Sequence, residues 1–204
     1  MCRARRGPGR NAAPAGSGRH RRGTRKHRRP KASPGTSCQT GRILESWPDM
    51  DEIPIGPAGP ADAGEILTLQ LAAYVTEAQL YDDPHLPALT QTLDELTAEL
   101  ADGLALKATL GHRIVGAVRG RLDGTVLRIG RLTVAPDLRG RGLGTRLLTA
   151  IERAAAGQAE WYALFTGHLS ETNIRLYERA RYEETHREQV RPGLTLVHLM
   201  KENA

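Results

Sequence analysis

The residues with the plainest chemical meaning run from Val134 to Gly144: Val-Ala-Pro-Asp-Leu-Arg-Gly-Arg-Gly-Leu-Gly. The pattern predicts a strand ending at Pro136, a glycine-rich loop, and a helix that begins by about Leu143. The first turn of a helix carries N–H donors without intrahelical partners and the positive end of the helix dipole. Glycines let such a backbone approach a ligand closely, because no Cβ intervenes. The segment therefore reads as a cradle for a pyrophosphate, to which Arg139 and Arg141 add charge. Its spacing, G-x-G-x-G, is not the G-x-G-x-x-G of dinucleotide folds, and no Lys-Ser/Thr pair follows as in a nucleoside-triphosphate loop. A plain turn between strand and helix has the same composition, so the loop alone does not decide.

What the rest of the chain lacks narrows the chemistry. Both cysteines, Cys2 and Cys38, precede residue 50. Residues 51–204 therefore offer no disulfide, zinc-thiolate site or cysteine nucleophile. Their one serine, Ser170, stands before a predicted helix and outside any G-x-S-x-G setting. The histidines at 85, 112, 168, 186 and 198 show no i, i+4 pairing and no H-E-x-x-H spacing, so no metal is expected. Acyl chemistry here would proceed without an acyl-enzyme on Cys or Ser.

The elements that must position the loop follow from periodicity. Residues 52–55 read as a short strand closed by Gly56 and Pro57. An amphipathic helix follows through Ile66, Leu67, Leu69, Leu71, Tyr74 and Val75 to about Leu80. A proline-broken loop, 81–87, leads to a second helix over about 90–101. Three strand-like runs, 104–110, 113–121 and 125–134, are joined at Gly111-His112 and Asp123-Gly124, which suit tight hairpins. After the helix over 143–155 come a buried strand at 161–166, a helix at 171–180, and a strand pair at 182–188 and 194–200. The order β-α-α-β-β-β-α-β-α-β-β implies an α/β (α+β) domain, a mixed and mostly antiparallel sheet with helices on both faces.

The stretch V-x-P-x-x-R-G-x-G-x-G resembles the acetyl-CoA-binding motif of the GNAT superfamily, Q/R-x-x-G-x-G/A after a fourth strand, with Arg139, Gly142 and Gly144 at its defined positions. The run Asn173-Ile174-Arg175-Leu176-Tyr177-Glu178-Arg179-Ala180-Arg181-Tyr182 is similar to the later motif of that family, although Ala180-Arg181-Tyr182 replaces its common Gly-Phe ending. The resemblance spans about 53–204 in motif and element order.

The resemblance implies acetyl-CoA as co-substrate. Leu132, Thr133 and Val134 would meet its pantetheine arm through their backbone, where strands four and five splay apart. The N–H groups from Arg139 through Gly140, Arg141, Gly142 and Leu143 to Gly144, with Thr145, would hold the pyrophosphate. Asn173 would touch the pantetheine or order its helix, and Tyr177 would protonate the departing thiolate. A phenol of pKa ~10 remains protonated at neutral pH and suits that role. Many relatives deprotonate the acceptor with a Glu on strand four, but here Val126–Val134 holds no acid. Asp82, Asp83 and His85, on the loop that overhangs the acceptor site in this fold, are the candidates to replace it; turn chemistry before prolines is their other explanation. Arg128 and Arg131 either line the acceptor groove, favouring a carboxylate-bearing amine, or face solvent.

Charge divides the chain at residue 50. Residues 1–50 carry 13 Arg and Lys against Glu45 and Asp49, a net +11, while 51–204 carry 16 basic and 21 acidic residues, a net −5. The basic segment is rich in Gly, Pro and Ser, and its composition predicts disorder. Its run from Arg19 to Arg29 would give salt-sensitive contacts with nucleic acid, or the tail is inert; Met50 offers an alternative start just before the domain. No apolar run of ~20 residues spans a bilayer, and no secretory core is present, so a soluble, cytoplasmic enzyme is expected. Three functions stay open: N-acetyltransferase with an amine acceptor, non-catalytic acyl-CoA sensor, and nucleic-acid-associated protein acting through the tail.

Overall fold

The computed structural model describes residues 50–203, and the expectations for the basic tail lie outside the described residues. The strands are β1 (Ile55–Pro57), β2 (Leu104–Leu110), β3 (Arg113–Asp123), β4 (Val126–Val134), β5 (Trp161–Gly167), β6 (Glu183–Arg191) and β7 (Leu194–Glu202). The helices are α1 (Ala63–Tyr81), α2 (Pro87–Thr90), α3 (Leu93–Asp102), α4 (Leu143–Ala155) and α5 (Glu171–Arg179). One sheet runs β1-β2-β3-β4-β5-β7-β6. All its pairings are antiparallel except β4 with β5, which is parallel. The mixed sheet expected from periodicity is the one found. No helix among the described residues is long and apolar enough to cross a membrane.

Two local expectations are corrected. The first strand lies three residues later than expected, because Ile53 is a buried plug, 1 % exposed, and not a strand residue. Pro57 is tolerated in β1 because that strand is the sheet edge. The second helix divides in two. Pro87 opens the one-turn α2, Gln91 is extended, and Thr92 caps α3 through a reciprocal box with Glu95. Glu95 N–H donates to Thr92 Oγ1 at 3.3 Å, and Thr92 N–H to Glu95 Oε2 at 2.8 Å. The hairpin turns fall where expected, with Gly111 and Gly124 at φ +61° and +60°.

On one face of the sheet α4 buries Leu143, Leu147, Leu148 and Ile151. It lies close because β3 offers glycines there: a Cβ at Gly116 would stand 2.7 Å from Leu147 Cδ1, and one at Gly120 3.2 Å from Ile151 Cδ1. The opposite face of β3 carries Arg119, which reaches Gln70 of α1 and Glu99 of α3. Helices thus cover both faces of the central strands.

β4 contains the irregularity that matters. Its register against β3 moves from Gly130↔Arg119 to Thr133↔Ala117, so Arg131 and Leu132 together oppose Val118. Arg131 takes up the extra residue at φ +51°, the signature of a β-bulge. On its other side β4 pairs with β5 only from Val126 to Arg128. Beyond that point the two parallel strands part.

α5 ends in a Schellman turn. Tyr182 N–H donates to the Tyr177 carbonyl at 3.0 Å and Arg181 N–H to that of Glu178 at 2.9 Å. The Tyr177 and Tyr182 rings meet edge to face at 6.1 Å, the apolar contact that accompanies such a turn. Arg181 is the left-handed residue, φ +68°, at the position where the resembling motif has glycine. The strain of a non-glycine there, about 1–2 kcal/mol, exceeds the flexibility cost of glycine, about 0.5–1 kcal/mol. Arg181→Gly is therefore expected to raise the unfolding free energy by about 0.5–1 kcal/mol in urea denaturation; a lower value would show that Arg181 is held there by contacts worth more than the strain.

Candidate active site

The glycine loop folds as a left-handed entry to α4. Gly140 and Gly142 have φ +73° and +89°, and space is open beside both, since a Cβ built on either meets nothing within 4 Å. Gly142 is the N-cap of α4 and has no side chain to accept from the first-turn N–H groups. Those of Leu143, Gly144 and Thr145 thus have no side-chain cap and open space before them, a setting suited to an anion. The glycines divide the labour. Gly144 serves packing, because a Cβ there would stand 3.3 Å from Leu176 of α5, and Leu143 contributes only its backbone, its side chain being core.

The two arginines of the loop also separate. The Arg139 guanidinium turns toward α1, donating to Thr76 Oγ1 at 2.9 Å and to the Ala73 carbonyl. Its side chain therefore staples the loop to α1 in this structure, while its backbone lies in the cradle. Arg141 lies within electrostatic reach of Asp137, which Arg113 clamps with two bonds of 2.9 Å.

Beside the cradle runs the edge of β4 that β5 leaves unpaired. Leu132 and Val134 are half-buried there. Thr133 turns its hydroxyl inward, donating to the Ala117 carbonyl at 3.2 Å, so it offers the groove only its backbone. The parted strands expected from the resemblance are present.

α1 and α5 close the far side. Glu77 of α1 accepts from Ser170 Oγ at 2.5 Å and from Asn173 Nδ2 at 3.3 Å, fixing the start of α5. Asn173 is thereby engaged in ordering its helix. Tyr81 of α1 accepts from Leu169 N–H at 2.7 Å. Tyr177 is 8 % exposed. Burial, then the neighbouring Tyr74 and the negative charge of Glu77, push its phenol well above the ordinary tyrosine range. Tyr177 thus carries its proton at neutral pH before any reaction. Glu77 and Tyr74 escaped the sequence reading as site residues because their partners lie far along the chain, Ser170 and Asn173 for Glu77 and Arg131 for Tyr74, and only their helical spacing of three could have hinted at a shared face.

The expected acceptor-side residues scatter. Asp82 is the left-handed residue that ends α1, φ 48°. Asp83 accepts from His85 N–H at 2.8 Å and is bridged by Arg191 of β6. Those two contacts, in that order, hold its carboxyl below the usual range, which makes it a poor base. His85 is exposed. The contacts of these positions are those of turn chemistry, the second of their two explanations. Arg128 lies on the surface, paired with Asp123 at 2.9 Å, whereas Arg131 is half-buried and its guanidinium carbon lies 6.0 Å from the Tyr74 ring centre.

Neither competing feature draws the site elsewhere. A cavity of about 520 Å³ lined by Glu152, Trp161 and Lys201 opens at the other end of β5, remote from the glycine loop, and its Glu152 is already met by Tyr182 and Lys201, each at 2.8 Å. Among the described residues no group of three His, Cys, Asp or Glu is placed to hold a metal.

Comparison with known proteins agrees with this geometry. Residues 81–203 match the family model described as acetyltransferase (GNAT) domain. No curated protein matches the chain in sequence. Among solved structures, a GNAT-family acetyltransferase from Streptococcus pneumoniae superposes with a TM-score of 0.60 at 16 % identity, over 74 % of this chain and 99 % of the other. The PaiA N-acetyltransferase of Thermoplasma acidophilum, solved in complex with coenzyme A, gives 0.62 at 15 %, over 72 % and 97 %. The ribosomal-protein-S18-alanine N-acetyltransferase of Escherichia coli gives 0.62 at 13 %, over 74 % and 94 %. With its glycine loop at the head of α4, its parted β4 and β5, and a matching family model over more than half its length, the chain belongs to the GNAT acetyltransferase family.

Proposed function

We propose that this chain is an acetyl-CoA-dependent N-acetyltransferase, its domain spanning residues 51–204, that transfers the acetyl group directly to an amine held in the same complex. One observation carries the reading: an uncapped, glycine-opened helix start lies beside a strand edge that β5 leaves unpaired among the described residues. A pyrophosphate suits the first, and an amide-bearing pantetheine arm suits the second. The structural relative from Thermoplasma acidophilum, which holds coenzyme A, supports that fit.

Bound there, acetyl-CoA supplies a thioester carbonyl for an amine to attack. The backbone of Leu132, Thr133 and Val134 would bind the arm, and the amides of Arg139 to Gly144, with Thr145, the diphosphate. Arg139 takes part through its backbone alone, because α1 engages its side chain. Asn173 acts by ordering the start of α5. Tyr177 faces the leaving sulfur and donates to it. The proton inventory closes simply: the attacking nitrogen gives up one proton and the departing sulfur gains one. Because burial raises the Tyr177 phenol, full transfer to a thiolate whose conjugate acid lies near ~8.5 is uphill. Tyr177 therefore stabilises the thiolate by hydrogen bonding and relays the proton from nitrogen, and it does not remain a phenolate.

Gly142→Val places a β-branched residue at φ +89° and blocks backbone approach, so calorimetric titration with acetyl-CoA is expected to show no binding; affinity equal to the parent protein would refute the cradle. Tyr177→Phe is expected to lower kcat by about tenfold or more, with acetyl-CoA affinity within twofold, as a lost general acid does. Undiminished thiol release from that variant would remove Tyr177 from the mechanism.

A further inference from the structure

Two arginines on the central strands, Arg119 of β3 and Arg131 at the bulge of β4, are buried or half-buried, and their charge is only half met. Arg119, 4 % exposed, already engages Glu99 at 2.9 Å and Gln70 at 2.5 Å. Arg131, one bulge away on β4, has no carboxylate within 4.0 Å among the described residues. Its Nε is buried and has no hydrogen-bond acceptor. The two guanidiniums lie close enough to act on each other: burial first, and Arg131 among the further causes, lower the proton affinity of Arg119. A buried donor without an acceptor is costly, and a half-buried cation without a counter-charge more so. Proteins keep such an arrangement where a ligand completes it.

Arg131 is also well placed for that ligand. The bulge turns its side chain toward Tyr74 of α1, and Tyr74 in turn acts electrostatically on Tyr177. The unmet cation and the candidate proton donor therefore flank the same tyrosine. Resting on the acetyltransferase reading above, we infer that the acceptor is an α-amine carrying a carboxylate on the same molecule, as in an α-amino acid or short peptide, and that Arg131 binds this carboxylate. Guanidinium geometry matches a carboxylate with two parallel bonds. The same charge repels polyamines and lysine-like cations.

The test uses the full chain, acetyl-CoA, and matched acceptors: α-amino acids and dipeptides, their C-terminal carboxamides, and spermidine, with thiol release as the readout. The expected result is that kcat/KM for the best carboxylate exceeds that for its carboxamide by about tenfold or more, and spermidine by a wider margin. Arg131→Gln should bring the carboxylate down to the level of its carboxamide while calorimetric acetyl-CoA affinity stays within twofold. Arg131→Lys, which keeps charge but not the fork, should restore only part of the preference. The inference is overturned if the parent protein prefers carboxamides or spermidine, if it binds acetyl-CoA yet turns over none of the carboxylates, or if the preference survives Arg131→Gln. Absence of any heat with acetyl-CoA on the parent protein would instead overturn the acetyltransferase reading itself.

Discussion

Two neighbouring parallel strands that stop pairing partway leave backbone N–H and C=O groups facing a gap, and every other feature of the site follows from how that gap is kept open. β4 and β5 pair over Val126 to Arg128 and then diverge. Unpaired backbone groups beside a core are costly unless water or a ligand meets them. A sheet would ordinarily zip closed. Here the bulge at Arg131 increases the local twist of β4 and directs it away. On the other side, β5 is held by the full length of β7, from Trp161↔Glu202 to Gly167↔Leu196.

The helices turn this gap into a site. α4 approaches the sheet over Gly116 and Gly120, and α5 approaches α4 over Gly144. Three missing side chains thus bring the open head of α4 level with the end of β4. α1 fixes the remaining wall at three points: Arg139 reaches its backbone and Thr76, Glu77 grips the start of α5, and Tyr81 takes the N–H of Leu169. Tyr177 is then located from both ends of α5, by Glu77 at the start and the Schellman turn at Arg181 at the close. Packing, not loop flexibility, sets the position of the proposed proton donor.

Much of this was legible in the sequence because it is local. Gly111, Gly124, Gly140 and Gly142 sit at positive φ, the conformation glycine is used for, and amphipathic spacing located α4 and α5. The errors arose where long-range burial overrides local pattern. Ile53 looked like a strand residue but is a core plug, and Gln91 breaks a run that reads as one helix. Asp82, Asp83 and His85 have the composition of a site and the geometry of a turn. Glu77 and Tyr74 carry only their helical spacing as a local signature, since their importance lies in partners brought near by the fold. Arg128 and Arg131 look alike in composition; Arg128 lies on the surface paired with Asp123, whereas the bulge at Arg131 turns that side chain toward Tyr74.

The missing acid on β4 and the unmet arginine have one physical explanation. Neutralising a lysine-like amine of pKa ~10.4 at pH 7 costs roughly 4–5 kcal/mol, which a base would have to recover. A peptide α-amine, with pKa ~7.7–8.0, costs only about 1 kcal/mol. A guanidinium nearby lowers that cost further, because it disfavours the charged ammonium form. A groove that presents Arg131 in place of a carboxylate is therefore poorly made for a strongly basic amine. It suits a weakly basic one whose own carboxylate supplies the counter-charge. On this view the arginine selects the acceptor by its anion, and the acceptor's own weak basicity, more than any protein base, leaves its nitrogen neutral enough to attack.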